Sequence, residues 1–438
     1  MINKEQIKEY LIDFQKKNIP KLIKRELKIP NTKKIISIIG PRRAGKTYFL
    51  FQTINNLIKE GVKKEEIIYL NFEDPRLLNL KFDEVREIVK IHRETYSQDN
   101  LYIFIDEPQN VHLWEVAVRN LYDEGFKIYI TGSSSKLLSK EIATSLRGRS
   151  LSYLLLPFSF TEFLKLKDKK FDLLKLGSKE KSELFRDLNK FIEFGGFPEV
   201  IEEKDNEAKL KIVSSYFELI VFKDLVERYN LRNSNLIKWL IKSSISMFSN
   251  EVSINKIYNT LKSQDLHASK NTLYEYFSII EESFFIFFLK RFSYSERKKE
   301  FGINKIYLND TSFSKLIEFS KEIGKKMENT VFLELLRRNK TLEEISYWKN
   351  NQQEEVDFVL TKSKKVKKLI QVCFNLNDLK TKNREIRALI KASQELNCKN
   401  LIIINKEIEK EETKEWFGVK RKIKFIPLWK WLLENKED

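Results

Sequence analysis

Cysteine and histidine are almost missing from this chain of 438 residues, which has two cysteines, Cys373 and Cys398, and three histidines, His92, His112 and His267. Thiols so few and so far apart make no disulfide framework, and the scattered imidazoles complete no structural zinc site. A reducing, cytoplasmic setting is therefore expected. Long apolar runs are missing too. The most apolar stretch, Phe284 to Leu289, is strand length, far short of the roughly 18 to 20 residues that span a bilayer. Met1 to Tyr10 is charged from the outset, and no membrane partner is expected. Acidic residues are in deficit: 63 Asp and Glu face 81 Lys and Arg, a formal charge of +18. Such a field draws polyanions, and a DNA duplex, with one phosphate charge per about 1.7 Å of axis, is the usual partner. A Lys-rich, Gly-poor and Ile-rich composition also follows from an AT-rich genome or a hot habitat, so charge alone does not decide the partner.

Apolar bulk is what the chain has in plenty. A hydrophobic fraction of 42%, with 32 phenylalanines, fills several cores, and the length implies roughly two to four domains. Residues 1–30 read as a basic amphipathic helix or pair of helices, interrupted at Pro20 and closed at Pro30. From Lys33 to about Leu156, apolar strand-length runs (IISII, EEIIYLNF, LYIFIDE, KIYITG, LSYLLL) alternate with helical periodicity, the mark of a parallel sheet covered on both faces. The expected divisions are 1–157 for this α/β core with its N-terminal helices, 158–245 for successive helices broken at FGGFPEV, and 246–300 for a helix-turn-helix with a strand pair. Residues 301–438 return to mixed strand and helix.

The first core strand runs into Gly40-Pro41-Arg42-Arg43-Ala44-Gly45-Lys46-Thr47, a complete G-x-x-x-x-G-K-[ST] between a strand and a helix that continues with Tyr48. Glycines let the backbone curl so that its N–H groups face phosphate oxygens, and the helix N-terminus adds positive potential. These nine residues are the candidate ATP contacts, with Lys46 on the β and γ phosphates and the Thr47 hydroxyl on Mg2+. A second apolar strand ends in Asp106-Glu107, where Asp106 is the expected metal carboxylate and Glu107 the group that polarises the attacking water. Ser133, with Ser134 and Ser135, follows the strand KIYIT and is a candidate γ-phosphate sensor. Arg147 and Arg149 in SLRGRS are candidates for neutralising transition-state charge, possible also in trans within a homo-oligomer. Glu73 and Asp74 in NFEDPR end another core strand and are further candidates.

With these residues assembled, the chain resembles the archaeal and bacterial AAA-type P-loop ATPases that carry a C-terminal domain of unknown function related to restriction-endonuclease folds. The segments that carry the resemblance are GPRRAGKT, YLNFEDPR, FIDEPQNVHLWE, ITGSSSKLLS, LRGRS, LPFSFTEFL, FGGFPEV, and, near the end, YWKN, EEVDFVL and LIQV. It departs from the pattern at Pro108, after the two acids, with little consequence expected for metal binding. The resemblance implies an α/β fold: an AAA-like parallel-sheet core, a helical lid, a winged helix and a restriction-endonuclease-like α/β tail.

Nucleases of that fold gather Mg2+ with a helix acid, a strand acid and an acid-x-lysine on the next strand. Glu334 and Asp357 meet the first two requirements, but Gln371-Val-Cys373 stands where Glu-x-Lys is required, so the tail reads as vestigial and nuclease activity is not expected. In the helix-turn-helix, Lys270, Asn271, Thr272 and Tyr274 open the second helix and Lys290, Arg291, Arg297, Lys298 and Lys299 follow it, an arrangement suited to phosphate contacts. Winged helices also dock proteins. The expectation is Mg2+-dependent ATP hydrolysis coupled to DNA binding or remodelling. Three other readings remain: an ATP-dependent signalling or defence switch acting on a protein, an ATP-gated DNA nuclease, and a nucleotide-binding regulator without turnover.

Overall fold

A computed structural model describes residues 3–77, 80–98, 101–132, 146, 148–264, 266, 268–300, 302–317, 322–339 and 343–434. The chain divides into two compact units, one of residues 1–157 with 282–284, the other of residues 158–281 with 285–438.

In the first unit the elements run α1 (Lys4–Lys16), β1 (Ile35–Ile39), α2 (Lys46–Lys59), β2 (Ile67–Asn71), α3 (Glu84–Tyr96), β3 (Tyr102–Asp106), α4 (Trp114–Asp123), β4 (Lys127–Gly132) and β5 (Ser150–Leu154). The five strands form one sheet in the order β2-β3-β4-β1-β5, all parallel. Every residue of β1, IISII, is buried, as a strand covered on both faces requires. The parallel α/β core is the architecture that the alternating pattern implied. Register aligns Asn71 with Asp106 and Ile39 with Gly132, so the carboxyl ends of β1 to β4 meet along one edge.

Helix α1 is capped by the Asn3 side chain and buries Ile7, Tyr10 and Leu11 on one stripe. The expected helical continuation to Pro30 is absent: residues 18–32 have no regular secondary structure. Their backbone is tied to the core instead. The Arg25 N–H donates to Gln52 Oε1 at 2.7 Å, and its buried guanidinium donates to the carbonyls of Ala44 at 2.7 Å and Leu156 at 2.6 Å.

The second unit starts with α5 (Phe160–Leu166), α6 (Ser178–Phe194), α7 (Pro198–Glu202), α8 (Asn206–Leu219), which continues as a π-helical stretch to Glu227, and α9 (Ser234–Ser246). Next come β6 (Asn250–Val252), α10 (Ile254–Ser263), α11 (Lys270–Glu282), β7 (Ile286–Leu289), α12 (Glu296–Glu300) and β8 (Asn304–Leu308), with an antiparallel sheet ordered β6-β8-β7. The segment after β7 holds a short helix, ERKKE, and the strand that pairs with β7 is β8, beyond residue 300. The chain ends with α13 (Ile323–Arg338), β9 (Glu343–Lys349), β10 (Glu355–Lys362), β11 (Lys365–Cys373), α14 (Leu379–Glu395), β12 (Leu401–Asn405), β13 (Lys410–Trp416), β14 (Val419–Pro427) and α15 (Leu428–Leu433). Its six strands form a mixed sheet in the order β13-β14-β12-β11-β10-β9.

The FGGFPEV break is explained by a buried carboxylate. Asp310 accepts the Gly196 N–H at 2.7 Å and the Ser312 N–H at 2.9 Å, and burial pushes its carboxyl up to about 6 despite these bonds. A folded-state pKa raised above the ordinary 3.8 means that the native state holds this proton more tightly than the unfolded chain. Its favourable contribution is complete below about pH 4 and is lost as pH rises through 6, by roughly 3 kcal/mol. The urea stability of the chain minus that of Asp310→Asn will therefore fall between pH 4 and 6 and level off above it. A pH-independent difference would refute the assignment.

Candidate functional site

The loop Gly40–Thr47 leaves β1 at the carboxyl edge of the sheet. Gly40 has φ 146°, and a Cβ there would stand 2.2 Å from the Leu155 carbonyl oxygen, so only glycine lets the loop pass the end of β5. Gly45, at φ 90°, caps α2, and Arg43 is also left-handed at φ 66°. Lys46 is buried, and its Nζ donates to the carbonyls of Gly40 at 3.1 Å and Pro41 at 2.9 Å. The Arg25 guanidinium ties the loop at Ala44 to Leu156 just beyond β5. No sequence signal marked Arg25, which lies in a stretch read as helix. Tyr48 is 56% exposed and meets Phe51 edge-on at 6.4 Å, on the outer side of α2.

Asp106, at the end of β3, is nearly inaccessible. Its Oδ2 accepts from the hydroxyls of Thr47 at 2.6 Å and Tyr69 at 3.0 Å, and its Oδ1 from the Thr131 hydroxyl. Burial raises its pKa, and the three hydroxyl donors oppose the shift. Tyr69 and Thr131 went unnoticed in the sequence, where a hydroxyl at the end of an apolar strand carries no mark. The carboxylate and hydroxyl oxygens of Asp106 and Thr47 suit Mg2+, a hard ion that binds through one or two protein oxygens and fills its other positions with phosphate and water. No cluster of three or more His, Cys, Asp or Glu side chains placed for a metal occurs among the described residues.

Glu107 follows in left-handed backbone, φ 53°, and its carboxylate accepts from the Gln109 amide. Burial, then the Glu107 charge, push the pKa of Glu73 up, while Arg42 and Arg43 pull it down, so both acids and both loop arginines share one field. Asp74 is engaged otherwise. It forms a two-pronged pair with Arg76, at 3.0 Å for each bond, and Arg76 also reaches Asp13 at 2.6 Å and lies over the Tyr10 ring. A cavity of about 460 Å³ opens beside Thr47, lined by Tyr10, Phe14, Phe51 and Tyr69 among others.

Arg149 is not part of this group. It precedes β5 at the amino edge of the sheet, where its carbonyl accepts the Ile35 N–H and its guanidinium pairs with Asp123 at 3.1 Å. The five residues of β1 put about 17 Å between that edge and Gly40. Ser133, with Ser134 and Ser135, and Arg147 lie outside the described residues.

In the second unit, Ser269 accepts the Thr272 N–H at 3.0 Å at the start of α11. Lys270 lies over the Tyr258 ring, Asn271 is exposed and Tyr274 is 60% exposed. Of the basic residues after β7, Lys290 pairs with Glu300 and Lys299 with Glu344, each at 2.5 Å, and Arg291 donates to the Lys349 carbonyl. Arg297 and Lys298 have no carboxylate partner among the described residues.

The expected trio in the tail is only partly brought together. Asp357 and Gln371 are neighbours, the Asp357 N–H donating to Gln371 Oε1 at 3.2 Å. Glu334 faces elsewhere, bound to Arg338 at 2.8 Å and Arg337 at 3.4 Å. The α13 acid near Asp357 is Glu328, and between them stands an ammonium not foreseen: Lys305 Nζ lies 2.9 Å from Glu328, 2.5 Å from Glu355 and 3.0 Å from Asp357. Burial alone would lower the pKa of Lys305, but these carboxylates hold it well above the usual value, while burial and the Asp357 charge push Glu328 up to about 8. Gln371 turns its amide to Glu385 at 2.6 Å, and buried Cys373 occupies the position of the expected lysine.

A family described as an AAA domain matches residues 32–164, and two domains of unknown function, DUF8612 and DUF4143, match 185–321 and 323–431. An uncharacterized protein of Methanocaldococcus jannaschii is 43% identical over 419 residues, covering 94% of this chain and 91% of that protein. One of Haemophilus influenzae is 28% identical, covering 94% and 95%. Among solved structures, AMPPCP-bound DnaA from Aquifex aeolicus is similar at 16% identity and a TM-score of 0.24, covering 64% of this chain and 86% of that one. No described helix is long and apolar enough to cross a membrane.

Proposed function

The chain belongs to one family with its Methanocaldococcus jannaschii relative and carries an AAA domain followed by two domains of unknown function, and we propose that it is a Mg2+-dependent ATPase whose nucleotide state is coupled to DNA binding. The observation that carries the ATPase part is the meeting of Gly40–Thr47, Asp106 and Glu107 at the carboxyl edge of one parallel sheet. Lys46, which donates to two loop carbonyls, exchanges them for the β and γ phosphates of ATP, stronger acceptors because they are charged. Thr47 and Asp106 would hold Mg2+, which would supply positive charge against the phosphates. Glu107 orients and deprotonates the attacking water once it leaves the Gln109 amide.

DNA is supported by the excess of 18 positive charges and by the exposed start of α11 with Lys270, Asn271 and Tyr274. The helix pair α10–α11 beside a three-stranded antiparallel sheet reads as a winged helix with α11 as its recognition helix. Arg149, at the far edge of the sheet, would reach a nucleotide only on another copy of the chain. A nuclease reading is disfavoured because Gln371 and Cys373 stand where an acid and a lysine are needed, and buried Lys305 already fills the space among Asp357, Glu328 and Glu355.

The test is phosphate release from ATP with Mg2+, with and without duplex, branched and single-stranded DNA. We expect one DNA form to stimulate turnover and Lys270→Ala to reduce that stimulation. Turnover indifferent to every DNA form would replace this reading with a switch acting on a protein partner, and ATP binding without turnover would leave only a nucleotide-binding regulator.

A further inference from the structure

The segment after β7 is docked on the edge of the six-stranded sheet. The Phe292 N–H donates to the Tyr347 carbonyl at 2.6 Å and the Tyr347 N–H to the Lys290 carbonyl at 3.1 Å, making a short parallel bridge beside β9. This docked segment borders a cavity of about 580 Å³, within the range that holds a small ligand. Phe292 and Trp348 give it aromatic walls. At its border Tyr294 stands 70% exposed, edge-on to Phe292 at 5.0 Å, with one ring face open to solvent.

The charged lining is cationic. Arg291, Lys298 and Lys349 border the cavity against one acid, Glu395, which already accepts from the Trp348 indole at 3.1 Å. Lys349 is neutralised by Glu251 at 2.7 Å and Glu355 at 3.4 Å. The charge left for a ligand therefore comes chiefly from Lys298, with a share from Arg291, whose guanidinium also donates to the Lys349 carbonyl and faces Glu251. An exposed ring beside cations is the means by which proteins hold unpaired bases, the ring stacking on the base and the cations meeting the flanking phosphates. A base inside a duplex already has neighbours on both faces and offers none to a ring.

We propose that this cavity binds an unpaired nucleotide of DNA, stacked on Tyr294 with its phosphate at Lys298 and Arg291. The inference rests on the DNA-coupled reading above and narrows it to DNA with a single-stranded end or gap.

The experiment measures binding of the full chain by fluorescence anisotropy to a flush-ended duplex and to the same duplex with a 3′ or 5′ oligo-dT tail. The tail is expected to tighten binding roughly tenfold. Tyr294→Ala should remove that gain and leave the affinity for flush duplex unchanged, and Tyr294→Phe should keep it. A tail that adds nothing, or a gain that survives Tyr294→Ala, overturns the pocket. If flush duplex still binds and weakens on Lys270→Ala, the DNA-coupled reading stands without the pocket. If no DNA form binds, both fall.

Discussion

Glu107→Gln will leave ATP affinity close to that of the unaltered chain and lower phosphate release by two orders of magnitude or more, whereas Lys46→Ala will lose most ATP binding. Glutamine has the shape of glutamate and can still accept from the Gln109 amide, so the left-handed turn at Glu107 and the neighbouring Asp106–Thr47 bond should be kept. What it loses is basicity, and a positioned general base contributes roughly 10²- to 10⁴-fold. Lys46 is different: it is a buried cation on the loop itself, and removing it leaves the phosphate charge without its main protein counter-charge. Titrating ATP in parallel with a phosphate-release assay separates the two effects. Turnover unchanged in Glu107→Gln would sink the assignment of the base, and ATP affinity unchanged in Lys46→Ala would remove the nucleotide from this loop.

The parallel core was legible because both of its signals are local. Strands such as IISII are buried on both faces and so read as unbroken apolar runs, and the loop that follows needs glycine where a Cβ would collide or a left-handed φ would strain any other residue. The second layer of the site was hidden because it comes from residues far apart in sequence. Tyr69 and Thr131 reach Asp106 only because β2 and β4 flank β3, and Arg25 reaches Ala44 and Leu156 from a stretch without regular structure.

Position along a strand was also invisible. Arg149 lies close in sequence to other candidate residues, yet it starts a strand whose far end faces the loop. In the tail, Glu328 and Glu334 share α13 six residues apart, which at about 100° per residue sets them some 120° apart around the helix. Choosing between them needs to know which face meets β10. The sequence alone did not contain that, nor the arrival of Lys305 from β8.

Gly195→Ala will cost about 3 to 5 kcal/mol or prevent folding of the second unit, although the change adds one methyl group. Gly195 has φ 72°, and a Cβ there would fall 1.7 Å from Asp310 Oδ1 and 2.4 Å from its Cγ. The carboxylate cannot retreat without leaving the N–H groups of Gly196 and Ser312 unsatisfied in a buried site. Gly196 is equally confined, since its carbonyl accepts the Phe158 N–H at 2.8 Å and its own Cβ would meet the Phe158 oxygen at 2.3 Å. Backbone strain and steric collision can be separated with Gly418, in the same unit, which has φ 77° but open space around its missing side chain. Gly418→Ala carries only the left-handed penalty of about 1 kcal/mol. Urea unfolding of the two variants side by side decides the matter: equal, mild losses would show that the Asp310 seat yields easily. A much larger loss at Gly195 would show that the Asp310 seat is rigid and that collision, not left-handed backbone, sets the cost.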